Sequence, residues 1–422
     1  MIADPAARLF AALAMVTLLA LVSGVLVRRI GQPPVIGEIV AGLLLGPVLL
    51  GLLPNSPIAA IFATDTRALL GAIAQVGLVC YMFTVGQEMR GHRLGTGIGR
   101  TAVVALASTA VPMVCGIVLG LLIVDWPGIG GTSQLPLMLG VLLSITAVPV
   151  LSRILDERGL AESAPGILSL RAAAVTDAIA WAALAVMFAG NSGGGLGAAP
   201  LLLLVFVGVI TTVGRVALRR VINGAPHSRS WEFAVIACML FGCAWATSSI
   251  GLHAVFGALL CGVVTPTRER GVPYSHLSMP FRSVAVLLLP VYFLTTGLDL
   301  EWNSIGEIGP VLLLTLCVVA FGAKILPAAG AARAVGLGAA DSWSVGVLLN
   351  TRGLTELVAL NIALKAGGIS PPIYTILVLV TLLTTLLTCP QLAAIAWVRE
   401  RYHRSLVEGS VAPNYLHDWK SV

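Results

Sequence analysis

Long apolar runs dominate the chain, each closed by glycine, proline or charge, and each near the length a helix needs to cross a hydrocarbon layer of about 30 Å. They fall at roughly 8–27, 34–53, 68–88, 101–124, 135–152, 165–189, 199–218, 231–249, 251–266, 281–298, 309–330, 341–363 and 373–397, about thirteen spans. The ninth is short for a full crossing. This pattern predicts an all-α polytopic membrane protein. Two spans are interrupted at mid-depth, "LLSITAVPVLSRIL" at Pro149 and "GVLLNTRGLTELVALNIAL" at Gly353. A broken helix is tolerated in lipid only where its freed backbone groups face protein or a wet cavity, and in carriers such breaks mark the ion site. The two lie about six spans apart, which suits two internal repeats, although no residue-by-residue self-similarity accompanies the spacing.

Composition removes the alternatives to a membrane protein. Only 10% of the 422 residues are charged, the mean hydropathy is +0.98, and a soluble domain carries about 25% charge. The net charge of +6 does not point to nucleic acid, because the basic residues are dispersed between apolar runs. The run after Arg8 continues to Val27 without a convincing cleavage site, so it reads as the first span rather than a removable leader. The seven cysteines, Cys80, Cys115, Cys238, Cys243, Cys261, Cys317 and Cys389, lie in apolar stretches with no metal-ligand or redox spacing, and are expected to be buried free thiols. No cofactor is expected.

The basic residues report topology. Nineteen of the 25 Lys and Arg residues fall in alternate loops on one side, from Arg28 and Arg29 through Arg90, Arg93, Arg100, Arg153 and Arg158 to Arg399, Arg401, Arg404 and Lys420. The other side holds only Arg8, Arg67 and Lys365, and Arg171, Lys324 and Arg352 lie within spans. By the positive-inside rule the N-terminus is outside and the C-terminus cytoplasmic, in a cell inner membrane. The glycine tract Gly193 to Gly195 belongs to an outer loop, and residues 401–422 form a short cytoplasmic tail after a membrane domain of 1–400.

A charge at mid-bilayer costs about 2.5–3.5 kcal/mol on the gentler insertion scale, so each one inside a span is a functional candidate. Asp177 is the sharpest, about three helical turns from either end of its span and with no charge within five residues. Desolvation disfavours a bare carboxylate, so a proton or a monovalent cation such as Na⁺ or K⁺ must neutralise it. The two occupants exclude each other, and exclusion at one site is the minimum machinery of an exchanger. A structural acid paired with a base on another helix is the alternative. Thr176 offers a hydroxyl beside the acid, and Lys324 is the natural counter-charge unless it snorkels to the interface. Arg352 and Glu356, four residues apart, are expected to form a structural pair along one helix face. Arg171, Glu38, Glu88 and Glu232 fit interfacial positions, and His253 a packed, hydrogen-bonded one.

Seven strings in order then resemble the monovalent cation:proton antiporter-2 family, which includes Kef-type efflux proteins, plant CHX exchangers and NapA-type antiporters. They are "GQPPVIGEIVAGLLLGP", "VGLVCYMFTVGQEM", "SITAVPVLSRILDERGL", "AAAVTDAIAW", "GLHAVFGALLCGVV", "PVYFLTTGLDL" and "NTRGLTELVALNIAL". The resemblance implies NhaA/NapA-like inverted repeats with two crossed broken helices. It also implies a scaffold at about 8–88 and 231–298, a core at about 101–189 and 309–397, and a linker helix at 199–218. A homodimer in membrane lipid follows from the same likeness. The family's ion-binding acid falls on Asp177, its core lysine on Lys324 and its unwound threonine on Thr146. Electrogenic members have a second Asp before the acid and others an Asn, where this chain has Thr176, so one-for-one electroneutral exchange is the simplest stoichiometry. Kef-type proteins add a nucleotide-binding domain, and none is expected here.

The expected activity is secondary antiport of a monovalent cation for H⁺ by alternating access at Asp177. A cation channel, or an efflux carrier for another small solute, is the alternative. An intramembrane enzyme is not expected, since neither a G-x-S-x-G nor an H-E-x-x-H motif is present.

Overall fold

The computed structural model describes residues 4–32, 34–44, 61–91, 97–189, 204–224, 229–250, 252–266, 268–269, 272–273, 275–298, 300, 306 and 308–410. The Gly193 to Gly195 tract, residues 45–53 of the second predicted span and the tail beyond residue 410 lie outside them. Helices α1 (Pro5–Arg29), α2 (Pro34–Leu44), α3 (Thr64–Gly91) and α4 (Ile98–Ile123) open the chain. They are followed by α5 (Leu135–Ser144), α6 (Val148–Glu157) and α7 (Ala164–Ala189). A π-helical turn, Ile210–Gly214, leads into α8 (Arg215–Gly224), and then come α9 (Arg229–Ser249) and α10 (Ala254–Val264). A ribbon of β1 (Arg268–Glu269) and β2 (Val272–Pro273) pairs antiparallel, Arg268 opposite Pro273. The chain continues through α11 (Ser275–Leu298), α12 (Gly309–Ala334), α13 (Ala339–Leu349), α14 (Leu354–Lys365) and α15 (Pro371–Ser410).

Ten stretches among the described residues are long and apolar enough to cross a membrane. They coincide with ten of the thirteen predicted spans. The other three are the spans at 34–53 and 199–218, each described in part, and the one at 251–266, where α10 is only eleven residues long. Leu18, Leu21, Val25 and Leu26 of α1 and Trp245 of α9 stand exposed, as expected for side chains that face lipid rather than water.

Close packing is achieved with small residues. A Cβ on Gly86 of α3 would lie 2.2 Å from the Leu259 carbonyl oxygen of α10, and one on Gly262 would lie 2.1 Å from that of Phe83. The two helices therefore touch backbone to backbone. On the other side of the molecule α4 packs on α5, α7 and α12, and α12 packs on α13 and α15. Two tyrosines tie α11 to the helices that carry the second break and follow it: Tyr292 Oη donates to the Leu357 carbonyl at 3.2 Å, and Tyr374 Oη to that of Thr296 at 3.4 Å. The cysteines are all free thiols, with Cys80, Cys243, Cys261 and Cys389 buried, Cys115 and Cys317 half-buried and Cys238 exposed.

Candidate ion-binding site

The site is built where two helices fail. After α5 ends at Ser144 the chain runs extended through Ile145 and Ala147 before Pro149 helps to start α6, since proline suits a first helical turn and supplies no N–H to an ongoing ladder. After α13 ends at Leu349, Asn350 to Gly353 separate it from α14. Gly353 sits at φ 157°, ψ −137°, a region that belongs almost wholly to glycine, and a Cβ there would meet Val150 Cγ2 at 2.7 Å.

The two breaks cross and are stitched by hydrogen bonds. The Ala147 N–H donates to the Thr351 carbonyl at 3.0 Å, and Thr146 Oγ1 donates to that of Leu349 at 2.8 Å. Each bond satisfies a group that an unbroken helix would have satisfied internally, which is the condition for irregular backbone at membrane depth.

The C-terminus of α5 presents orphan carbonyls and the negative end of a helix dipole. Cations from two other elements meet it. Lys324 Nζ of α12 donates to the Ser144 carbonyl, and Arg352 donates to the carbonyls of Leu142 at 3.2 Å and Leu143 at 2.9 Å. Arg352 also forms an ion pair with Glu356. All three side chains are fully buried. Lys324 therefore does not snorkel, and the expected i,i+4 pair forms with an added duty at the break. Thr385 Oγ1 donates to the Arg352 carbonyl at 2.7 Å.

Asp177 lies midway along α7, fully buried, and neither carboxylate oxygen has a hydrogen-bond partner. An ionised carboxylate without partners is among the costliest groups to bury. Lys324 is the charge of opposite sign that acts on it, which links the acid to the end of α5. One turn on, the Trp181 indole N–H lies near enough to act on this carboxylate without closing a hydrogen bond to it, while its ring packs edge-on against Phe256 of α10 at 5.8 Å. Thr176, next to the acid, turns away along α7: its hydroxyl donates to the Ala172 carbonyl at 3.0 Å and receives Thr109 Oγ1 of α4 at 3.2 Å.

The structure thus gathers Asp177, Lys324, Arg352, Glu356 and Thr146 around one crossing, and places the Thr176 hydroxyl at the α4–α7 contact. Sequence reasoning did not single out Asn350, Thr351 and Thr355, whose buried side chains also have unsatisfied polar atoms. Three hydrogen-bonding side chains inside one span, in "NTRGLT", were the available signal. His253, treated as a packed residue, caps α10, accepting the Val255 N–H at 3.4 Å.

Residues 15–397 match the family described as sodium/hydrogen exchanger, transmembrane. Among characterised proteins the chain is similar to the Na⁺/H⁺ antiporter NhaS4 of Synechocystis sp., 33% identical over 88% of this chain and 93% of that one. It is likewise 33% identical to cation/H⁺ antiporter 18 of Arabidopsis thaliana over 88% of its length, although it spans only 46% of that longer protein. The fold matches that of the sodium proton antiporter MjNhaP1 from Methanocaldococcus jannaschii, with a TM-score of 0.66, 12% identity, and coverage of 94% of this chain and 98% of that one.

Proposed function

The chain belongs to the sodium/hydrogen exchanger family, and from that premise we propose that it exchanges Na⁺ or K⁺ for H⁺ at Asp177, one for one. The observation that carries this reading is the fully buried carboxylate on which no hydrogen bond closes at either oxygen. Such a group is held for something that arrives from outside the protein. A proton or a monovalent cation each neutralises it, and the two cannot be present together. Neutralised, Asp177 crosses between the two access states; bare, it stays, because moving an uncompensated charge through a dry passage is too costly.

The neighbours of the acid fill roles in this scheme. Lys324 supplies a positive charge that biases the empty carboxylate, Thr146 belongs to the crossing, and Thr176 carries a hydroxyl next to the acid in sequence. The Arg352–Glu356 pair holds the second break in shape. Helices α1–α3 and α9–α11 serve as scaffold and dimer interface, and α4–α7 with α12–α15 as the moving core. The basic loops favour a cytoplasmic C-terminus and an outer N-terminus in a cell inner membrane.

The test is dequenching of an imposed pH gradient in proteoliposomes on adding Na⁺, K⁺ or Li⁺, with and without valinomycin. Cation-driven proton movement is expected in the wild type and not in Asp177→Asn. Indifference to membrane potential is expected for one-for-one exchange. Folded protein that moves no protons with any of the three ions overturns the proposal.

A further inference from the structure

A cavity of about 260 Å³ opens between α3, α11 and α14. Arg67 and Gln75 line it from α3, Tyr292 and Thr295 from α11, and Asn361 and Lys365 from α14. Gly71, between the two α3 residues, adds space and no side chain. Tyr292 and Asn361 form a buried floor, while Arg67 and Lys365 stand exposed at the rim. Asp177 is not among the lining residues.

Among the described residues the charge of this lining is one-sided, with two cations, four neutral hydrogen-bonding side chains and no carboxylate. The acid beside it in sequence, Asp65, is engaged by Arg8 at 3.1 Å. Lys365 ends α14, where a cation often serves the terminal carbonyls, but those of Ile362, Ala363 and Leu364 already accept the N–H groups of Ala366, Gly368 and Gly367. Arg67 is fixed through its Nε, which donates to the Phe62 carbonyl at 2.7 Å, and a guanidinium held at one edge presents its remaining donors in a rigid fork. Two cations with no ion-pair partner among the described residues, over a polar floor and between low-dielectric walls, concentrate anions rather than cations.

We infer that this cavity binds an oxyanion of the phosphate or carboxylate class, either a soluble ion or the headgroup of an anionic lipid. Arg67 grips the anion in the plane of its guanidinium, Lys365 closes on it from the facing helix, and Gln75 supplies a neutral donor below. Because the anion bridges α3 and α14, its binding pins two elements that the exchange cycle must move past each other, and so slows transport. That last consequence rests on the exchange reading; the binding itself does not.

The experiment measures thermal unfolding of the full chain in neutral detergent, with inorganic phosphate against chloride at constant ionic strength, and separately in nanodiscs with and without phosphatidic acid. Wild type and the exposed-arginine control Arg28→Gln are expected to show a saturable rise in melting temperature, lost in Arg67→Gln/Lys365→Gln. Lys365→Gln alone, at an exposed helix end, is expected to weaken half-saturation several-fold and serves if the double variant does not fold. A response to phosphate assigns the soluble source; a response to phosphatidic acid alone assigns the lipid. No response to either, or an equal response in the variants, overturns the site. In proteoliposomes, phosphate on both sides is expected to slow exchange several-fold in wild type and not in the double variant. Loss of all exchange in every protein would sink the transport reading and leave the binding result standing.

Discussion

The Lys324 ammonium and the Ser144 carbonyl are hydrogen-bonded across 180 residues of sequence, so the lysine that faces the candidate ion site also terminates the first half of a broken helix. The charge near Asp177 and the geometry of the crossing thus depend on one side chain.

Replacing Lys324 with methionine leaves the Ser144 carbonyl buried without its partner, a loss of about 1–3 kcal/mol. A lowered melting temperature in detergent is expected together with slowed exchange. Lys324→Arg, which keeps a charge and a donor, is expected to recover more stability than transport, because its longer planar head does not reproduce the ammonium position. Equal recovery of both would separate the lysine from the ion site.

The Arg352–Glu356 pair is asymmetric in its partners. Removing either side of a buried pair typically costs about 3–5 kcal/mol, but Arg352 also serves the carbonyls of Leu142 and Leu143. Arg352→Met is therefore expected to destabilise more than Glu356→Gln, and the double variant to lie below Glu356→Gln rather than return toward wild type. Thermal unfolding of the three variants in a double-mutant cycle reads this order; a double variant near wild-type stability contradicts it.

Gly353→Ala places a methyl 2.7 Å from Val150 Cγ2, at the contact between the two breaks. Overpacking of this kind costs about 1–3 kcal/mol. Adding Val150→Ala is expected to restore part of the lost stability and exchange, the remainder being the backbone conformation that alanine disfavours. No rescue at all would mean that the clash is not the cause.

Thr176→Val keeps the volume and removes the hydroxyl. A several-fold rise in the cation concentration for half-maximal exchange, with little change in maximal rate, is the expected result if the hydroxyl reaches the ion, and Thr176→Ser should behave as wild type. An unchanged half-saturation together with a lower melting temperature would confine Thr176 to its bonds with Ala172 and Thr109.

Span positions were legible because apolar length and the punctuation around it are local properties of sequence. The breaks were legible through Pro149 and Gly353, and Asp177 because nothing charged stands near it in its helix. What joins them was not. The bonds from Thr146 to the Leu349 carbonyl and from Arg352 to the α5 carbonyls have backbone acceptors, and a backbone acceptor leaves no residue type to read. The i,i+4 spacing of Arg352 and Glu356 exposed their pairing but not the second task of the arginine. Thr176 illustrates the limit differently: neighbours in sequence stand about 100° apart around a helix of 3.6 residues per turn, so adjacency to Asp177 does not determine where its hydroxyl points.

The bond from Thr146 to Leu349 closes over 203 residues, and that separation governs biosynthesis as well as structure. A chain inserted N-terminus first presents its first interrupted segment long before the partner segment has been made. Throughout that interval the extended residues between α5 and α6 must be served by water in the insertion pore, or by provisional contacts with neighbouring helices. The crossing is accordingly among the last parts of the protein to be completed, and ribosome-bound chains halted before residue 339 should hold this segment hydrated and open to water-soluble thiol reagents at a cysteine placed on residue 146.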